Sequence, residues 1–253
     1  MNLAPLPSPY FPPNIYDKLI QIGMTALYAY ASPESQKAIM AADDYEGNAG
    51  GRAEKIHMIG DRFAVGVLGG GAPLNAIYAL QHSHKSGGLG ISSVPDLAKK
   101  ILDITRMNSE ELFPELQRLA SEKLLKIECY KNILKYASQL VILGCEDVSL
   151  HLVDIGFPFP PDDLLDSPVI KELEAGVMHC LGRIGGYNGS VGDDPLQAVR
   201  ERLSADREKY SGIGDLGSVV EVEGGEVVFH SVYKDVEEIR SGIESLLGCF
   251  DVD

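Results

Sequence analysis

The stretch "KAIMAAD" (37–43) constrains the fold more than any other, because its apolar residues run without alternation until an aspartate ends them. A strand of that kind is buried on both faces, so it must be covered on both sides. Upstream, "TALYAYA" (25–31) is apolar and aromatic and reads as a second strand, joined to the first through the turn residues "SPES". Downstream, "YEGNAGGR" reads as a loop. "KIHMIG" (55–60) and "RFAVGVLG" (62–69) then form a hairpin turning at Gly60-Asp61.

Helical patterns follow. "APLNAIYALQHSHK" (72–85) sets Leu74, Ile77, Tyr78 and Leu80 largely on one side. After the glycine break "SGGLG", a second helix begins at "SVPDLAKKILDITR", with Ser93 as cap and Pro95 in its first turn. It continues through "SEELFPELQRLASEKLLKIECYKNIL", where Pro114 is expected to break or kink it. Strands return at 138–156 as a hairpin, and "FPFPPDD" is a rigid loop. A region around "IGGYNGSVGDD" carries no clear pattern before the helix "PLQAVRERLSADREKY" (195–210). "GSVVEVEGGEVVFHSVYK" (217–234) is the clearest hairpin of the chain, and an acidic tail with a helical pattern closes it.

Strands, helices, strands, helix, strands is the order of an α+β fold with mostly antiparallel sheets, not the βα alternation of a doubly wound one. No repeat or linker divides the chain, so residues 25–253 read as a single domain. Residues 1–24 form a leader. Five prolines among its first 13 residues exclude regular structure there, and "NIYDKLIQIG" (14–23) has the spacing of a short helix.

Composition narrows the function. Twenty-two Lys and Arg against 37 Asp and Glu give a formal charge of −15, which argues against nucleic-acid or anionic-membrane binding. The first residues lack the basic and apolar regions of a secretory signal, and no apolar run reaches the length of a membrane span, so the expectation is a soluble, cytoplasmic protein. Cys129, Cys145, Cys180 and Cys249 are far apart, and the six histidines show no paired metal spacing; no metal and no cofactor are expected. There is no GxSxG elbow for a serine triad. Gly69-Gly70-Gly71 stands between an apolar strand and a helix, where a backbone nest could hold phosphate or an oxyanion. Without GxGxxG or a P-loop ending it reads, by itself, as a tight turn. Lys55, taken alone, reads as an edge lysine whose stem packs and whose amine reaches water.

In order, these features resemble something specific. Thr25 opens a strand, a second strand ends at Asp43, and "EKI" at 54–56 precedes a "GD" turn, an apolar strand and "GGGAPLNAIYAL". This resembles the first half of a proteasome subunit or of its bacterial relatives, in the N-terminal-nucleophile hydrolase family. "LVILGCEDVSLHLVDIG", the "KYSGIG" turn and the final hairpin fit the second half, so the resemblance spans about residues 14–234. It implies a four-layer αββα sandwich of two antiparallel sheets flanked by helices. It also implies a threonine endopeptidase acting on peptide or protein substrates within a ring of like or related subunits.

Carried over by position, the resemblance makes Thr25 the nucleophile once the leader is removed, with its own α-amine as base. Asp43 is the buried carboxylate, Lys55 its partner and Gly69 the oxyanion donor. Ser211 is a supporting serine and Glu208 the family's acid, while a second serine near "IGGYNGS" falls at Ser190. Val67 and Gly71 line the substrate pocket. An alternative stays open: Met24 stands where self-processing subunits have glycine, and "NIYDKLIQIGMTA" also resembles the entry helix of non-catalytic α-type subunits, which serve ring assembly or gating. A small-molecule amidase of the same superfamily is a third possibility.

Overall fold

The computed structural model describes residues 26–46, 51–52, 54–85, 90–182, 188–191, 194–210 and 213–231. Thr25, Ser211, the leader and the acidic tail lie outside the described residues, and with them the helix expected over 14–23.

The molecule is α+β, with two antiparallel sheets and a few helices. The first sheet has six strands: β1 (Ala26–Ser32), β2 (Lys37–Asp43), β10 (Val177–Gly182), β11 (Asn188–Ser190), β12 (Leu216–Glu223) and β13 (Glu226–Ser231), in the order β11-β10-β1-β2-β12-β13. The second has five in sequence order: β5 (Ile56–Ile59), β6 (Phe63–Gly69), β7 (Ser138–Gly144), β8 (Ser149–Gly156) and β9 (Leu164–Glu172). The helices are α1 (Pro73–Lys85), α2 (Val94–Ser121), α3 (Ile127–Lys135) and α4 (Pro195–Lys209).

The period-two alternation of the strands sorts side chains into separate clusters. Leu27, Ala29 and Met40 of the first sheet meet Ala64, Leu68, Val141 and Leu143 of the second. Leu27 fills the space where Gly66 would carry a side chain, so that glycine sets how closely the sheets approach. On its other side, the second sheet packs Val65, Val67, Leu140 and Ile142 against Leu74 and Ile77 of α1 and Leu97 and Ile101 of α2. The first sheet packs Tyr28, Ile39 and Met178 against Val199 and Leu203 of α4. "KAIMAAD" is therefore covered on both faces, as its composition predicts.

Several sequence expectations need correction. The "YEGNAGGR" loop contains a two-stranded ribbon, β3 (Tyr45–Glu46) with β4 (Gly51–Arg52). The hairpin from β5 to β6 pairs Ile59 with Phe63, so its loop holds three residues rather than two. Pro114 does not break α2: it is exposed, so the carbonyl its missing N–H leaves free, that of Glu110, also on the exposed side, can face water. Burial of Leu112, Leu116 and Leu119 on the opposite side, at roughly 1.5–3 kcal/mol each, outweighs a proline cost of about 3 kcal/mol. The helix ends instead at Ser121, and just past its cap Lys123 takes a left-handed φ of 59°. There the amides of Lys123 and Leu124 return to the carbonyls of Ala120 and Leu119, the bonding of a Schellman cap without its usual glycine. Strands β9, β10 and β11 fall where the sequence shows no clear pattern.

Candidate active site

β2 ends at Asp43. Only 1 % of the residue is exposed, and its carboxylate is engaged from three directions. Oδ1 accepts from Lys55 Nζ at 2.7 Å and from the Ala26 amide at 2.8 Å, while Oδ2 accepts from the Gly214 amide at 3.1 Å. Desolvating a carboxylate and an ammonium costs several kcal/mol per ion, and such a pair persists only where further hydrogen bonds complete the shell. Here two backbone amides do so. Lys55 is itself 7 % exposed, and its carbonyl accepts from the Val67 amide at 3.2 Å, fixing its backbone to β6. The structure thus replaces the edge-lysine reading with a buried ion pair.

The next residue repeats the arrangement. Asp44, 4 % exposed, accepts from the Asp215 amide at 2.8 Å and returns its own amide to the Asp215 carbonyl at 2.9 Å. Two consecutive carboxylates at the end of β2 therefore grip two consecutive amides, Gly214 and Asp215, ahead of β12. Arg207, in the last turn of α4, pairs with the Asp215 carboxylate and ties the helix to the same loop.

At the end of β6, Gly69 has a φ of 80°, and the Ala137 carbonyl occupies the space a Cβ would need, so only glycine fits. The Gly70 amide donates to that carbonyl at 3.3 Å, and the Ser138 hydroxyl donates to the Gly70 carbonyl at 3.1 Å. The Gly71 carbonyl accepts from the Leu74 amide at 3.0 Å and starts α1. Gly71 is buried. Val67 is 8 % exposed and packs in the cluster shared with α1 and α2.

Of the residues singled out from the sequence, Asp43 and Lys55 are brought into contact, and Val67 is tied to Lys55 through the backbone. Gly69 and Gly71 form the turn after β6. Glu208 lies on the exposed side of α4, and Ser190 ends β11, paired with Val177. The acid that α4 buries is Asp206, 1 % exposed, on one stripe with Val199 and Leu203. Its spacing from those two residues, seven and three, was the available signal. Nothing in the sequence marks the Gly214 amide as a ligand of Asp43, because backbone donors carry no residue signature.

Among the described residues no group of three or more His, Cys, Asp or Glu side chains is placed to hold a metal ion. No helix among them is long and apolar enough to cross a membrane. Burial pushes the Cys145 thiol up to about 12 and the Cys180 thiol up to about 11, so both are inert small hydrophobes rather than nucleophiles. No family model matches the chain, and no curated protein matches it significantly.

Proposed function

We propose that the protein is a proteasome-like subunit of the N-terminal-nucleophile type, a four-layer αββα sandwich that acts as a threonine endopeptidase when Thr25 is the first residue of the chain. One observation carries this reading. The buried Lys55–Asp43 pair shares its carboxylate with the amide of Ala26, the residue joined to Thr25 by a single peptide bond. The three apolar clusters, one between the sheets and one on the far side of each, support the layered architecture.

In this reading the Thr25 hydroxyl attacks a peptide carbonyl, its proton passes to the free α-amine, and an acyl-enzyme ester forms as the C–N bond breaks. The α-amine passes the proton to the departing amine, then takes one from the water that attacks the ester and returns it to the Thr25 oxygen as the acyl–oxygen bond breaks and the acid leaves. A free α-amine titrates near pH ~7.7–8.0, far below a lysine, which suits it to the role of base. Lys55, held by Asp43, supplies a fixed positive charge that favours the ionised form of a nearby hydroxyl. The turn at Gly69 supplies a backbone donor for the oxyanion, and loss of such a donor typically costs about 10²–10³ in rate. Peptide or protein substrates, a cytoplasmic ring of like or related subunits, and supporting roles for Ser211, Glu208 and Ser190 belong to the same proposal.

The test is Thr25→Ala in the mature protein, assayed with a fluorogenic peptide series and by size-exclusion chromatography. Hydrolysis is expected to vanish with the elution position unchanged. Turnover retained by the variant overturns the assignment. Assembly by a wild-type chain that hydrolyses nothing favours the scaffold alternative.

A further inference from the structure

Both amides that reach Asp43 come from segments that meet elsewhere, at a second buried polar cluster. Tyr28 of β1 is 0 % exposed, and its phenol donates to Asp206 Oδ2 at 2.9 Å. Arg202, one turn earlier on α4, donates from Nε to the same oxygen at 2.9 Å. Ala26, two residues before Tyr28, faces the same side of the sheet, and Ile213, next to Gly214, belongs to the same apolar cluster as Val199 and Leu203 of α4. Burial and then the Asp206 hydrogen bond push the Tyr28 phenol far above its ordinary value, so it remains a donor at any physiological pH.

Buried polar groups of this kind are costly unless satisfied, and when satisfied they fix one arrangement of the elements they join. The elements joined here are β1, which presents the Ala26 amide, and α4, whose following loop presents the Gly214 amide. Apolar packing alone would let α4 slide over β1 by small steps. A shared carboxylate oxygen with two donors, one from each element, does not.

We infer that Asp206, held between Tyr28 and Arg202, is a positioning residue that sets the Ala26 and Gly214 amides on the Asp43 carboxylate and so orients the Lys55–Asp43 pair. Its catalytic consequence rests on the threonine-hydrolase reading; its geometric consequence does not.

The experiment uses the full chain with Tyr28→Phe and Asp206→Asn. Amide hydrogen exchange is read by NMR at Gly214 and Ala26, with Val65 and Ile142 as references, together with kcat and KM on a fluorogenic peptide. Tyr28→Phe removes one oxygen and keeps the ring, so it carries the test if Asp206→Asn does not fold. Expected is about 10-fold faster exchange at Gly214, on the scale of one lost hydrogen bond, with the reference amides unchanged. With it, kcat falls by about 10-fold to 100-fold at constant KM, the scale of a misplaced catalytic group. Unchanged exchange at Gly214 overturns the inference whatever happens to the thermal midpoint. Faster exchange with wild-type kcat overturns it too. A wild-type chain without peptidase activity refutes the hydrolase reading, and Gly214 exchange then decides the geometric claim.

Discussion

Two ion pairs of nearly equal length sit in this molecule and have opposite consequences. Lys55 and Asp43 are 2.7 Å apart with side-chain exposures of 8 % and 0 %, whereas Arg118 and Glu115 on α2 are 2.6 Å apart at 45 % and 23 %. Arg118 also reaches Glu122, so the surface arginine engages two carboxylates. Water and salt screen it, and holding long side chains in place costs entropy, so such pairs contribute about 0–1 kcal/mol. The buried pair has no water to fall back on. Removing one partner strands a charge, at a cost of about 3–5 kcal/mol. Bond length says little about what a pair does; its surroundings decide.

The comparison can be broken at several points. The largest effect is expected from Lys55→Ala: roughly 3–5 kcal/mol of stability by urea unfolding, and a fall of at least about 100-fold in peptide turnover with the fold retained. An unchanged rate would return Lys55 to a purely structural role. Gly69→Ala comes next, because a side chain at φ 80° is strained and meets the Ala137 carbonyl. A loss of about 1–3 kcal/mol is expected, with turnover reduced through displacement of the turn. Wild-type stability there would mean that β7 gives way easily.

Arg118→Ala is the smallest, within about 1 kcal/mol and without effect on turnover. Arg118 holds the Glu115 carboxyl below its ordinary value, so the contribution of the pair is complete above the unfolded carboxyl's range and is lost as acid protonates Glu115. A thermal-midpoint series at falling pH should therefore show wild type and Arg118→Ala converging. A gap that persists in acid would point to packing by the arginine stem instead.

The apolar runs made β1, β2, α1, α4 and the last hairpin legible, since their periodicity is the direct imprint of burial. β9 left no such imprint: it is an edge strand, mostly exposed, with Pro168 inside it, so neither alternation nor composition marks it. β10 is central and buries Met178, His179 and Cys180, but its six residues mix polar and apolar types on a surface shared with β1 and α4. In the candidate site, Asp43 and Lys55 were marked out by the resemblance and not by their own surroundings in the sequence, where Lys55 reads as an edge lysine. The Asp44–Asp215 clamp, the Gly214 amide and the Tyr28–Asp206 bond were not legible, because each joins positions more than 170 residues apart that only the folded sheet brings together. On α4, Glu208 lies on the exposed side, while the helix turns Asp206 inward two residues earlier.

The most direct test of the central claim is the intact mass and N-terminal sequence of the protein purified from its native cell. A chain beginning at Thr25 is the predicted result and supplies the free amine on which the chemistry depends. A chain still beginning at Met1 contradicts it, because a threonine locked in a peptide bond has no base of its own.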